Sequence, residues 1–185
     1  APGACKTFSA WLTRAAVPLL SVGLAGLTIL TVLIWRAAAT APDGRLHLTV
    51  LDVGNGDGLL IQTPGGRYLL VDGGGSATML SDALGRRLPL GLRRLDLLIV
   101  AGIENEQLEA LPRTLERYPA AQVLWSGPTG GTRGARLLRE YLAEAKTPIS
   151  VAQSGQVIDL GEGAQLKIVS ANQRGLVLSL EWENF

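Results

Sequence analysis

Residues 15–35 form one long stretch without a charged side chain, AAVPLLSVGLAGLTILTVLIW. The hydrocarbon core of a bilayer requires about 20 apolar residues in a helix, so this stretch predicts a transmembrane helix. Lys6 and Arg14 before it and the small residues AAATA after it are also typical of a secretory signal. However, the stretch exceeds the roughly 7–15 residues of a signal core, and Arg36 interrupts the approach to the cleavage site. A membrane anchor is therefore favoured over a signal peptide and over a buried core helix.

Charged residues are distributed unevenly along the chain. Three basic residues and no acidic ones precede Asp43, whereas acidic residues outnumber basic ones from Asp43 onward. The later part therefore lacks the bulk positive charge that is typical of nucleic-acid binding. If the basic N-terminal flank stays inside the cell, the residues after 43 lie outside the cytoplasm. Cys5 is the only cysteine, which excludes a disulfide framework and a cysteine-based zinc site.

After a short linker, the chain predicts strands first and then an alternation of strands and helices. LHLTVLDV, LLIQT and RYLLVD predict three strands separated by glycine-rich turns. A basic helix or loop over 81–92 precedes DLLIVA, which predicts a strand buried on both faces. Amphipathic helices are predicted over 104–118 and 133–146. Further strands are predicted at 121–125, 149–152, 165–169 and 176–182. This order indicates an α/β fold with a central sheet and helices outside it.

Several motifs that could indicate a functional site do not have the sequence that such a site requires. The loop GPTGGTRG lacks the spacing and the lysine of a phosphate-binding loop. His47, the only histidine, lies at an outward position of its strand and predicts a surface residue. No nucleophile elbow accompanies it, which argues against a Ser/His/Asp triad. A cluster of arginines could contact phosphates, but such a cluster is more often a solvated connector. Its members are Arg86, Arg87, Arg93 and Arg94.

The segment 46–75 combines aspartates and glycines at the ends of predicted strands. Gly54 and Gly56 permit backbone angles that a side chain would disfavour, and Asp57 can accept hydrogen bonds from the amides of its own turn. Asp72 ends a strand, where its carboxylate is expected to project toward a cleft. Three carboxylates are too few and too hard for a zinc site built on imidazoles. The structural motif predicted here comprises Asp52, Gly54, Gly56, Asp57, Asp72, Gly73 and Gly74.

The stretch LDVGNGDGLLIQTPGGRYLLVDGGG resembles the opening of the metallo-β-lactamase-like domain of the ComEC family, competence proteins that carry DNA across the bacterial membrane. The family pattern is close to L-D-V-G-Q-G-D-A, then P-G-G, then D-G-G, and Asn55 and Gly58 are mild departures from it. The resemblance continues through RLDLLIVAG, LPRTLERYP, GQVIDLGEGAQLKIVS and NQRGLVLSLEW, and covers essentially all of 46–185. In that family the domain follows a multi-helix membrane region, which agrees with the predicted span.

The resemblance fails at the signature that binds the metal. The family places T-H-x-H-x-D-H after the strand that corresponds to DLLIVA, whereas this chain reads AGIENEQ in register. Ala101 replaces the threonine, Gly102 and Glu104 replace the first two histidines, Glu106 replaces the aspartate, and Gln107 replaces the last histidine. Because three imidazoles are lost together, we predict no catalytic residue and no bound cofactor.

Three carboxylates remain near the lost signature. Asp72, Glu104 and Glu106 are the only candidates for holding a hard cation, and glutamates at a helix start more commonly favour the helix dipole. The family counterpart of Asp72 supports the metal site from beneath. The resemblance therefore implies that Asp72 keeps this position although the metal-binding histidines above it are absent.

The resemblance implies the following organisation. Residues 1–40 contain the N-terminal flank and the transmembrane helix, 41–45 form the linker, and 46–185 form the first half of a metallo-β-lactamase-like (αββα) domain. The chain lacks an initial methionine and stops within a predicted strand, which indicates a piece of a longer protein. The expected location is the bacterial cytoplasmic membrane, with the domain facing outside the cytoplasm.

The function implied is membrane-bound DNA uptake with a non-catalytic domain. Expected partners are the membrane, single-stranded or double-stranded DNA, and other competence-channel subunits or the missing remainder of the protein. One alternative is a membrane-anchored hydrolase of the same fold, a phosphodiesterase or nuclease that uses zinc or manganese with unusual ligands. Another is a decayed reading frame without a retained function.

Overall fold

A computed structural model describes residues 22–38, 42–89, 91–127 and 131–182 of the chain. The chain separates into two compact units, Ala1–Ala41 and Pro42–Phe185, which are described separately below.

In the first unit, residues 22–38 form a helix, α1, whose side chains are all exposed. Two threonine hydroxyls are satisfied within it, because Thr28 Oγ1 donates to Leu24 O at 2.8 Å and Thr31 Oγ1 donates to Leu27 O at 2.8 Å. Within the described ranges, no helix has both the length and the apolar character required to cross a membrane. Residues 15–21 of the predicted span lie outside the described residues, and the span stays a prediction.

The second unit contains a six-stranded sheet in which the strands follow one another in chain order. The strands are β1 His47–Val50, β2 Leu59–Gln62, β3 Tyr68–Val71, β4 Leu97–Val100, β5 Val123–Trp125 and β6 Ile149–Val151. Strands β1, β2 and β3 pair antiparallel, and β3, β4, β5 and β6 pair parallel. Parallel neighbours require crossover connections, which the helices supply. Strands β3, β4 and β5 are buried along their whole length, which explains their nearly continuous apolar sequences.

A second, three-stranded antiparallel sheet packs on one face of the first. It consists of β7 Val157–Gly161, β8 Ala164–Asn172 and β9 Gly175–Trp182. In β8, Ala164, Leu166 and Ile168 are buried while the residues between them are exposed, as the alternation of a strand requires. These side chains join Leu69 and Ile99 of the first sheet in an apolar layer between the two sheets.

Helices cover the opposite face of the six-stranded sheet. They are α2 Ala77–Arg87, α3 Asn105–Leu108, α4 Leu111–Leu115 and α5 Arg133–Glu144. The side chains of Leu70 and Leu98 point to the helical layer, whereas their neighbours in the chain face the second sheet. They join Leu84, Leu111 and Leu138 in the apolar core under the helices. The described residues of this unit therefore form a mixed α/β arrangement of one helical layer and two stacked sheets.

The structure differs from the predicted elements at three places. The helix predicted over 104–118 is divided into α3 and α4, because Pro112 in the first turn of α4 has no amide hydrogen to continue the helical bonding. Helix α2 begins before the predicted 81–92, with Ser76 as its N-cap accepting from the Met79 amide at 3.3 Å. The strand β7 was not predicted.

Candidate functional site

Three turns meet at one edge of the six-stranded sheet, at the carboxyl ends of β1, β3 and β4. The turn after β3 is bonded to both of the others, because the Gly75 amide donates to Asn55 O at 2.7 Å and the Gly73 amide donates to Gln107 O at 2.9 Å. Gly56 faces the backbone carbonyl of Glu106 so closely that a Cβ atom would overlap it. The glycines predicted as a structural motif thus allow the three turns to approach one another.

Asp72 lies beneath this junction with only 6% of its surface exposed. Its Oδ1 atom accepts hydrogen bonds from the amides of Ala101 at 2.8 Å and Gly102 at 3.2 Å. The expectation that this carboxylate projects into a cleft is therefore wrong, because the left-handed backbone at Asp72, with φ of 53°, turns it under the next strand end. Burial raises the pKa of Asp72 to about 6, although the two amides act to lower it.

In the segment AGIENEQ, residues 101–107, one side chain packs over the backbone of another residue of the same segment. Gly102 is buried, and a Cβ atom there would overlap the side-chain amide of Gln107. The same amide accepts a long hydrogen bond from the Glu104 amide to Oε1, at 3.4 Å. The side chains of Glu104 and Glu106 are exposed. Gln107 therefore fills the space that lies over Gly102.

Two more distant parts of the chain attach to the same segment. The amide of Leu176, at the start of β9, donates to Ala101 O at 2.7 Å. On the helical side, Thr132 Oγ1 donates to Ile103 O at 2.8 Å, and Asn105 Oδ1 accepts from the Gly134 amide at 2.8 Å. The β8–β9 turn and the start of α5 are thus joined to the turn after β4.

Other predicted residues lie away from this junction or take no part in it. Asp52 and Asp57 are exposed, and no hydrogen bond reaches the Asp57 carboxylate from any described residue. The prediction that Asp57 accepts from the amides of its turn is therefore wrong, since its side chain faces solvent. His47 is exposed, as predicted, and its Nε2 atom lies 3.0 Å from each carboxylate oxygen of Asp43. This hydrogen bond lowers the pKa of Asp43.

The predicted arginine cluster is exposed at the end of α2 and in the connector to β4. Arg93 lines a shallow cleft together with Glu116 and Arg117, so charges of both signs meet there. The guanidinium of Arg117 lies 5.3 Å from the ring centroid of Tyr118. The exposure of all four predicted arginines agrees with a solvated connector.

Comparison with solved structures identifies the architecture. The described chain matches a metal-soaked Flv1 flavodiiron core from Synechocystis sp. PCC6803 with a TM-score of 0.51 and 24% identity, over 69% of this chain and 31% of that one. It matches the Rm3 metallo-β-lactamase with a TM-score of 0.50 and 16% identity, over 72% of this chain and 53% of that one. The chain has a metallo-β-lactamase-like fold.

A third solved structure that the chain matches is a peroxy diiron species of the chemotaxis sensor ODP. The TM-score is 0.53 and the identity is 16%, over 74% of this chain and 55% of that one. The chain thus spans between about a third and about half of the length of these metallo-β-lactamase-like structures. No protein-family model and no curated protein matches the chain.

The donor atoms at the junction do not fit the metal that this fold implies. Among the residues that the structure describes, no three His, Cys, Asp or Glu side chains are grouped closely enough to hold a metal ion. Asp72 is already bonded to two backbone amides, and the side chain over Gly102 is a neutral amide. A metal centre requires about three protein ligands and an open position, whereas the space over Gly102 contains the side-chain amide of Gln107.

Sequence reasoning missed the residues that attach the junction to the rest of the domain. Thr132 precedes helix α5 and accepts from the Ala135 amide at 3.3 Å, which is the N-cap signal that its sequence position offered. Asn172 accepts from the Gly175 amide at 3.2 Å and shapes the turn before β9. The contacts of Thr132 with Ile103 and of Leu176 with Ala101 depend on tertiary packing, and no local pattern indicates them.

Proposed function

We propose that this chain is part of a ComEC-like membrane protein of bacterial DNA uptake, and that its metallo-β-lactamase-like domain acts without hydrolysis. The proposal of DNA uptake rests on the resemblance through 46–185. The observation that favours a non-catalytic domain is the amide of Gln107 over Gly102, at the place where the family signature has its first and last histidines. An amide oxygen there cannot replace the imidazoles that hold and activate a catalytic metal.

The proposed location is the bacterial cytoplasmic membrane, with residues 15–35 as an anchor and the domain outside the cytoplasm. Single-stranded or double-stranded DNA, other channel subunits and the remainder of the protein are the proposed partners. The exposed arginines at the end of α2 offer phosphate contacts of the sequence-independent kind. The acidic side chain of Glu116 in the neighbouring cleft would keep such contacts weak.

Membrane attachment is tested by extraction with alkaline carbonate. We expect the chain to stay in the membrane pellet, because burying about 20 apolar residues is far more favourable than attachment at the surface. A matched chain that begins at Pro42 should appear in the supernatant. Recovery of a soluble product of the whole chain, beginning near Pro42, would instead indicate signal cleavage.

The non-catalytic proposal is tested by metal analysis and a nuclease assay on the protein extended to its natural C-terminus. We expect no stoichiometric zinc or manganese after dialysis and no cleavage of DNA with added Mn²⁺. Hydrated Mg²⁺ would bind weakly at best, because it usually completes its shell with substrate phosphates. One equivalent of metal, with cleavage abolished by Glu104→Ala or Glu106→Ala, would favour the hydrolase alternative.

Uptake itself is tested in the source bacterium by transformation with labelled DNA. An in-frame deletion of 46–185 should reduce uptake, whereas the double variant Glu104→Ala/Glu106→Ala should retain it, because neither exposed carboxylate serves a reaction in this proposal. Normal uptake after the deletion would contradict a role in DNA entry. Loss of uptake in the double variant would contradict the non-catalytic role.

A further inference from the structure

We propose that Gln107 has taken over the structural role of a metal, so that the junction after β4 is held by a metal-independent polar lock. The polar lock comprises Asp72, Gly102 and Gln107. This inference concerns how the domain is stabilised and goes beyond the proposed role in DNA uptake. The experiment below measures the unfolding temperature, whereas the proposed function is tested by metal binding, DNA cleavage and uptake. A failure of one proposal can therefore be distinguished from a failure of the other.

Asp72 forms the lower side of the lock. Its Oδ1 atom accepts from two consecutive amides, those of Ala101 and Gly102, and the amide of Asp72 itself donates to Ile99 O at 2.9 Å. A carboxylate that accepts two backbone amides fixes the direction in which the chain leaves β4. The segment is therefore oriented from below by protein atoms alone.

Gln107 forms the upper side. The space between its side-chain amide and the backbone of Gly102 is too small for one additional carbon atom. Helix α3 fixes the Cα of Gln107, since the amide of Gln107 donates to Glu104 O at 3.1 Å and its carbonyl accepts from the Gly73 amide. Gly102 and Gln107 are thus complementary, because the absence of a side chain at one position makes room for the amide of the other.

The sides of the segment are also occupied. Ala101 O accepts from the Leu176 amide and Ile103 O accepts from the Thr132 hydroxyl. A metal ion bound at this segment would need ligand side chains that converge on an open volume. Here the volume is filled, and the carbonyls next to Gly102 are already paired.

The chemistry of the lock predicts independence from metals. Metal-stabilised domains lose folding free energy when a chelator removes the ion, because binding and folding are coupled. An amide packed on a glycine requires no ion and no deprotonated ligand. The unfolding temperature of the whole chain in detergent should therefore be the same with EDTA and with added zinc.

A double-mutant cycle tests the complementarity of Gly102 and Gln107. Gly102→Ala should lower the unfolding temperature by on the order of 2 °C, because the new methyl group displaces the end of the flexible Gln107 side chain. In the Gln107→Ala background the same change should cost much less, since the colliding amide is absent. The exposed Gln165 offers a matched control, and Gly102→Ala should keep its full cost in the Gln165→Ala background.

Three results would overturn the proposal. One is an equal cost of Gly102→Ala with and without Gln107. Another is a lower unfolding temperature in EDTA that zinc restores. If Gly102→Ala alone does not fold, the double variant decides: a cooperative transition in Gly102→Ala/Gln107→Ala supports the lock, and its absence contradicts it.

Discussion

Gly56→Ala is expected to destabilise the domain by about 3 kcal/mol or more. The new Cβ atom would overlap the Glu106 carbonyl oxygen and lie 2.8 Å from the Glu106 carbonyl carbon. Both are backbone atoms at the start of α3, so the collision cannot be relieved by a rotamer change and must move the turn or the helix. The φ of 84° at Gly56 adds the strain of a left-handed conformation.

Gly155→Ala is the matched control for this experiment. Gly155 has nearly the same φ, 82°, but no atom lies within 4 Å of the position of its Cβ. Its substitution should therefore cost only the backbone strain, roughly 1–2 kcal/mol. Denaturant unfolding of both variants gives the difference in free energy. Equal losses would show that the contact between the two turns does not limit the packing of this junction.

Asp72→Asn is expected to change how stability depends on pH. The pKa of Asp72 is raised from its ordinary value of 3.8 to about 6 in the folded domain, mainly by burial. Between these values the folded domain keeps a proton that the unfolded chain has lost. Stability from this group is therefore fully present below pH 3.8 and is lost as the pH rises through 6, a change of roughly 3 kcal/mol.

The variant keeps a side-chain oxygen for the amides of Ala101 and Gly102 but does not titrate. The free energy of unfolding of Asp72→Asn, minus that of the native chain, should therefore rise between pH 4 and pH 7. Asp82→Asn removes one exposed carboxylate and serves as the control for the change in net charge. A difference that is constant across this range would show that Asp72 does not carry a raised pKa.

Local patterns were sufficient to predict most of the strands. Alternation correctly predicted β1 as a strand, although Leu48 and Val50 are exposed and the pattern does not mark a buried face. The apolar sequence of β4 correctly indicated a strand buried on both faces. Strand β7 was missed because its five residues include only one fully buried side chain, Leu160. The division of α3 from α4 follows from Pro112, which lacks the amide hydrogen that a continuous helix would need at this position.

The candidate site was predictable only in part, for a physical reason. The register of AGIENEQ with the metal signature can be read from one segment of the chain. The contact between Gly102 and Gln107 depends on how α3 is set against the end of β4, which packing determines. The attachment of the segment to Thr132 and Leu176 involves residues that are distant in the chain, and burial of Asp72 similarly depends on the whole junction.

The close contact of Gly102 with Gln107 also restricts the order of evolutionary change. A histidine introduced at position 102 would meet the side-chain amide of Gln107, which would have to move aside. A first substitution at 107 that shortens this side chain would make the room instead, and it would give no benefit of its own in metal binding. The residues at positions 102 and 107 are thus coupled, since a larger residue at 102 is compatible only with a shorter or displaced side chain at 107.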